Sequence, residues 1–284
     1  MITGVQQIML GSVCKNEASA KDALQRIKGA GCAGVELNRF MIHPSGLLVR
    51  MLTKAAGMPA GNGGKLPWLQ LIRESGLKVI SLHTDLGSLE KETKAQAEEA
   101  KSFGTDKLVI TGMYRFDYTD AAEVKKLACR LNAAGKALAD EGIDLLYHNH
   151  SAELLSVSSG VKAYDIILQE TDPDLVGFEF DSYWFTDAGA DASGWMKKLG
   201  PRMKLWHIAD RGFRQSGPAM TPILKADSVE LGTGNMDLNA LYLAAKANGV
   251  RAAVLESHRN WIDKDPLKSI ELSAKWLNTR CKDE

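Results

Sequence analysis

The sequence has no apolar run approaching the roughly 18 consecutive residues that a helix needs to cross a bilayer, so no membrane span is expected. The opening segment MITGVQQIML has no basic stretch ahead of a long apolar one. No signal peptide is therefore expected, and the protein is expected in the cytoplasm. Neither sign of charge is in excess, because 35 Lys and Arg residues balance 35 Asp and Glu residues. A net charge of zero gives no footing for nucleic acid or an anionic membrane as partner. Cysteine is scarce: Cys14, Cys32, Cys129 and Cys281 stand far apart and form no CxxC pair. They read as reduced, mostly buried thiols. No GxGxxG follows the first apolar run, which weighs against a dinucleotide-binding open sheet. No linker, low-complexity tract or charged tail divides the chain, so residues 1–284 are expected to form one domain.

What is present is an alternation. Apolar runs at 5–13, 34–38, 78–83, 107–113, 143–150, 176–184, 203–209 and 252–257 are separated by amphipathic stretches. Helices are expected from 19, over 66–74, 89–103, 121–140, 161–170 and 192–199, up to 248, and over 267–280. The segment 40–64, rich in Met and Gly, fits neither pattern. Runs such as KVISL and AAVL are apolar on both faces, the pattern of parallel strands covered by helices. Eight β-then-α units in 284 residues predict an α/β fold, a single closed (β/α)8 TIM barrel.

All six histidines, His43, His83, His148, His150, His207 and His258, fall at or just beyond an expected strand end. A lone histidine there is more often a satisfied core residue. Six on one rim point to the face where such barrels build their active sites. Glu36, Asp85, Glu153, Asp181, Asp210 and Glu256 join them. Carboxylates aimed into a barrel mouth are costly to desolvate unless paired or metal-bound. Mixed oxygen and nitrogen donors suit Mn2+ or Mg2+, and Co2+ or Zn2+ less specifically. The alternative is a salt-bridge network with Arg39, Arg115, Arg211 and Arg259. Trp184, Trp206, Phe185, Met41 and Met113 read either as an apolar platform for a ligand or as packing between barrel and helices. The Lys and Glu run over 90–101 reads as a solvated helix face.

The motifs YHNHSAE, FEFDSYWFTDAGAD, KLWHIADRG, ELGTGN and VLESH, in that order, resemble the sugar phosphate isomerase/epimerase family. That family has the xylose isomerase-like barrel. The resemblance implies one divalent metal, Mn2+ first, on Glu153, Asp181, His207 and Glu256, with His148 the alternative donor from the fifth strand. GVELNRFMIHP and the long loop RGFRQSGPAMTPILKADSVELGTGNM are similar to the catalytic subunits of bacterial C-glycoside deglycosidases. This second resemblance implies a 3-keto-glycoside substrate and a small β-sandwich partner subunit. An oligomer is also expected.

The chemistry so implied is proton transfer beside a ketone. A 3-keto group acidifies the C2 proton, a metal on the C3 oxygen stabilises the enolate, and a base takes the proton. Expulsion of the C1 aglycone is then a β-elimination; reprotonation from the other face is epimerisation, and a proton shift gives isomerisation. His150 is the expected base, with His148 second, and His83 is placed to protonate the leaving group. Glu36 and Arg211 are expected at sugar hydroxyls and Trp184 against a sugar face or flat aglycone. Rival readings are a keto-sugar epimerase or isomerase with the same site, an endonuclease IV-like phosphodiesterase, and a non-catalytic sugar-binding barrel. The phosphodiesterase needs three metals and a basic surface, which zero net charge opposes.

Overall fold

Runs of β-branched and aliphatic residues form the strands of a closed parallel barrel: β1 (Ile2–Gln6), β2 (Gly34–Asn38), β3 (Lys78–Thr84), β4 (Lys107–Thr111), β5 (Asp144–His148), β6 (Val176–Asp181), β7 (Met203–Ile208) and β8 (Ala252–Leu255). Each strand lies beside its neighbours in the chain, and β8 returns to β1. The computed structural model describes residues 1–44, 63–215, 217–218 and 220–281, so residues 45–62 of the unassigned segment 40–64 fall outside it. Helices follow the strands: α1 (Glu17–Gly29), α2 (Trp68–Ser75), α3 (Leu86–Ser102), α4 (Ala121–Ala139), α5 (Ala163–Glu170), α6 (Ala192–Leu199), α7 (Leu238–Ala247) and α8 (Pro266–Arg280). Among the described residues no helix is long and apolar enough to cross a membrane.

Helix starts are set by polar caps. Asn16 and Ser19 form a capping box at α1, Asp120 accepts from the amides of Ala122 and Glu123 at α4, and Asp265 precedes Pro266 at α8. Asp85 does the same for α3, its Oδ1 accepting from Ser88 N at 2.8 Å. The sequence places this carboxylate among the rim acids; the structure uses it to begin a helix at Leu86 rather than 89.

By contact the chain divides into two compact units. One holds residues 1–80, 207–242 and 252–284. Here β1 pairs in parallel with β2 and β8, matching Val5 to Val35 and to Leu255. Leu24 and Ile27 of α1 and Ile270 and Leu277 of α8 are buried in its core. The expected strand 5–13 stops at Gln6, because the Gln6 side chain accepts from Ile8 N at 2.6 Å and turns the chain into a 3-10 segment. A ribbon pairs 210–212 with 227–229. Below it Asp210 accepts from the amides of Gly232, Gly234 and Met236 at 3.0, 2.9 and 3.1 Å.

The other unit holds residues 81–206 and 243–251. Parallel pairing joins β3 to β4, β4 to β5 and β5 to β6. Successive side chains of a strand point to opposite faces, so each strand sorts its residues into two sets. In β6, Phe178 and Phe180 pack on Tyr164 of α5, with centroids 5.6 and 6.5 Å away. Glu179 and Asp181 therefore share the opposite face. The expected strand 176–184 ends at Asp181, whose Oδ1 accepts from Tyr183 N at 2.8 Å and starts a helix over Ser182–Asp187.

Candidate functional site

Strand parity decides what β5 offers. Tyr147 and His148 are adjacent and face opposite ways. Tyr147 pairs with Phe178 in the register and lies on the helix-covered side; His148 pairs with Glu179. His148 Nδ1 stands 3.2 Å from Glu179 Oε2, and His83 Nε2 lies 2.9 Å from the same oxygen. The second contact is close without being an aligned hydrogen bond. All three side chains are buried. Asp181, two residues along β6 from Glu179, is buried as well.

In the other unit His207, the penultimate residue of β7, is 0% exposed and meets a carboxylate at each ring nitrogen. Its Nε2 is 2.5 Å from Glu36 Oε2 and its Nδ1 is 3.0 Å from Glu256 Oε2. Glu36 sits inside β2, and Glu256 is the residue after β8. His258 Nε2 lies 3.8 Å from Glu256 Oε1.

Among the described residues, two groups of four side chains offer ligand atoms within 4.8 Å of one another. They are Glu36, His83, Glu179 and His207, and His148, Asp181, His207 and Glu256. The second suits a divalent cation by chemistry: two imidazoles and two carboxylates, the mixed donor set of borderline and hard ions. Of the residues assigned to metal from the sequence, Asp181, His207 and Glu256 come together there. From β5 that group contains His148, and Glu153 is not among its members.

Glu153 has other work. Its Oε1 accepts from Tyr147 at 2.7 Å and from Tyr118 at 3.3 Å, and its Oε2 from His150 N at 3.0 Å. Burial raises its carboxyl above the ordinary value, against the lowering effect of the Tyr147 bond. The same burial pushes the Tyr147 and Tyr118 hydroxyls well up. Glu153 is thus fastened to Tyr147, Tyr118 and the backbone of His150.

The other candidates fall as follows. His150, half-buried, has its ring 4.9 Å from that of His148 and 5.8 Å from that of Trp184. Gly112 passes so close that a Cβ there would lie 3.3 Å from His150 Nδ1 and 2.9 Å from Glu153 Oε1. His83, placed from the sequence at a leaving group, is 4% exposed beside Glu179. Glu36, placed at a sugar hydroxyl, is wholly buried against His207. Arg211 is half-buried in the 210–212 ribbon. Trp206 is packing: it is fully buried, and its Nε1 donates to Ser182 Oγ at 2.9 Å.

Sequence reasoning passed over Glu179. The signal was the alternation in FEFD, which puts Glu179 on the same side as Asp181 once Phe178 and Phe180 are read as the covered face.

A family model described as xylose isomerase-like TIM barrel matches residues 24–280. The chain is 34% identical over 93 residues to an inosose dehydratase of Mesomycoplasma hyopneumoniae (strain 7448), covering 33% of this chain and 30% of the relative. It therefore spans under a third of the length of that curated relative. A sugar phosphate isomerase/epimerase structure from Parabacteroides distasonis ATCC 8503 superposes with a TM-score of 0.76 at 22% identity, covering 98% of each chain. The IOLI protein, whose structure holds a zinc atom, gives a TM-score of 0.69 at 17% identity over 99% of each chain. Both structural likenesses speak to the fold alone.

Proposed function

Given that the chain belongs to the xylose isomerase-like TIM barrel family, we propose that it is a metal-dependent lyase acting on a cyclic keto-sugar. It removes the proton beside the ketone and expels the substituent one carbon further on. The finer reading is a 3-keto-glycoside whose aglycone leaves from C1. The observation that carries the proposal is the group His148, Asp181, His207 and Glu256, whose ligand atoms lie within 4.8 Å of one another. These residues would hold the cation. When bound, a divalent cation supplies Lewis acidity toward a carbonyl oxygen.

The chain's own residues supply the rest. His150 takes the C2 proton: an imidazole suits general-base work, and Gly112 leaves the ring room beside Glu153. The C2–H bond breaks, its electron pair forms the C1–C2 double bond, and the C1–aglycone bond breaks with its pair going to the aglycone. The imidazolium of His150 returns the proton to the departing atom. His83, buried beside Glu179, is assigned to positioning rather than to the leaving group. Trp184, ring to ring with His150, bounds the site on its apolar side and excludes water. The inosose dehydratase relatives support elimination as the reaction class, since loss of water from a keto-polyol follows the same bond changes.

The test is metal analysis of the purified chain, then incubation with 3-keto C- and O-glycosides in deuterated solvent, with and without a small β-sandwich partner. Bound metal, deuterium at C2 of the recovered substrate and free aglycone are expected, and His150→Gln should keep the metal while losing the exchange. A metal-free chain that exchanges nothing sinks the proposal. A new diastereomer without free aglycone replaces the lyase by an epimerase.

A further inference from the structure

We propose that Asn149 is a positioning residue: its side-chain amide holds the backbone of Asp181 and so sets where that carboxylate stands in the candidate metal group. The inference rests on the metal reading above and extends it to a residue outside the group.

The paired register of β5 and β6 closes at His148 and Glu179, two residues short of Asp181. Beyond it the Asn149 side chain takes over. Its Nδ2 donates to Asp181 O at 3.0 Å, and its Oδ1 accepts from Asp181 N at 3.0 Å. One amide thus exchanges both bonds with one residue, as two facing residues do across a hydrogen-bonded strand pair. The amide has a single usable orientation, since turned over it would set donor against donor and acceptor against acceptor. Asn149 is 0% exposed and Asp181 3% exposed, so both bonds lie out of water.

These bonds fix a direction. With its N–H and C=O both held, Asp181 keeps its backbone at φ −93° and ψ 108°, and the direction of its Cα–Cβ bond follows. Its Oδ1 in turn accepts from Tyr183 N at 2.8 Å and from Trp184 N at 3.3 Å, which holds the side-chain rotamer. Asn149 stands between His148 and His150 in the chain, so the same anchor ties the end of β5 to the end of β6. All of these residues belong to the unit of residues 81–206 and 243–251. The same pairing occurs a second time in that unit. Asn132 of α4 donates from Nδ2 to Glu170 O at 2.9 Å and accepts at Oδ1 from Asp172 N at 2.7 Å. There the bonds join α4 to the end of α5 and hold no member of the group. The two asparagines therefore separate positioning from plain stability.

The experiment uses the full chain and compares Asn149→Leu with Asn132→Leu; leucine is close to asparagine in size and makes no hydrogen bond. Thermal melts of the metal-free proteins check folding, and chelator competition at a temperature where each is folded reads Mn2+ affinity. Asn149→Leu is expected to bind Mn2+ about tenfold or more weakly, the usual scale for a group that orients a ligand. Asn132→Leu is expected within about twofold of wild type. Linkage adds a measurement on wild type alone: if the Asn149 bonds favour metal binding by some factor, bound metal favours those bonds by the same factor. Hydrogen exchange of the Asp181 amide should therefore slow about tenfold or more on saturation with Zn2+, and that of the Asp172 amide should not. Mn2+ affinity in Asn149→Leu within about twofold of wild type, or an equal loss in Asn132→Leu, overturns the inference. If Asn149→Leu does not fold, the exchange decides: equal slowing at Asp181 and Asp172, or none at either, overturns it too. A wild type that binds no ion removes the parent reading, a result distinct from either.

Discussion

The Tyr147 hydroxyl donates to Glu153 Oε1 at 2.7 Å, and this bond separates the carboxylate of YHNHSAE from the histidine that precedes it on β5. Tyr147→Phe leaves Glu153 Oε1 with the longer Tyr118 contact alone. Unfolding by urea should show a loss of about 1–3 kcal/mol, the cost of weakening a buried acceptor. Manganese affinity should stay within about twofold of wild type. A collapse of affinity with unchanged stability would falsify the structural role and return Glu153 to the ligands.

Asp181 carries two duties that substitution can part. Its Oδ1 caps the 182–187 helix through the amides of Tyr183 and Trp184, and its carboxylate belongs to the proposed metal group. Asn caps a helix about as well as Asp, whereas Ala loses about 0.5–2 kcal/mol. Asp181→Asn should therefore melt like wild type without metal yet bind Mn2+ poorly, and Asp181→Ala should fail on both counts. Equal metal content in Asn variant and wild type would remove Asp181 from the ligands.

Glu230 gives a pH signature. Burial works to raise its carboxyl, but hydrogen bonds from Ser269, its surrounding backbone and Arg214 hold it below the ordinary value. Its Oε1 accepts from Ser269 Oγ at 2.5 Å and from Ile262 N at 3.0 Å, tying the approach to α8. A folded value below the unfolded one gives stability that is full above the unfolded value, about 4.3 for Glu, and is lost as pH falls through the folded value. The stability gap between wild type and Glu230→Gln should therefore be widest near neutrality and close as pH drops below about 4. A gap that stays constant from pH 7 to 3 in denaturant titrations contradicts this assignment.

Gly112 tests the base. An added Cβ would sit 2.9 Å from Glu153 Oε1 and 3.3 Å from His150 Nδ1. Gly112→Ala should cost about 1–3 kcal/mol through overpacking. It should also slow deuterium exchange at C2 far more than it weakens Mn2+ binding. Exchange at the wild-type rate in a folded variant would mean that His150 does not take the proton.

Much of the barrel was legible because its signals are local. Doubly apolar runs such as KVISL mark β3, and Asp120 or Asp265 ahead of an amphipathic stretch marks a helix start. The site was legible in residue type more than in role. Asp85 and Asp210 look like Asp181 in sequence, each an acid just beyond a strand. Asp85 caps α3, and Asp210 gathers the amides of Gly232, Gly234 and Met236. Such duties depend on backbone geometry that residue spacing does not carry. That the candidate group contains His148 and not Glu153 follows which residues of β5 share a face, a parity that 143–150 read as one continuous run conceals and that the short strand Asp144–His148 reveals.

His207 is a connector with two working ends, one on Glu36 of β2 and one on Glu256 beyond β8. A cysteine or aspartate in its place would take away the Nε2 group that Glu36 Oε2 meets at 2.5 Å. A substitution at His207 is therefore best matched by a change at Glu36 on β2, the carboxylate that meets its ring. Asp181 differs: its Oδ1 accepts from the backbone amides of Tyr183 and Trp184, bonds that Asn can accept in its place.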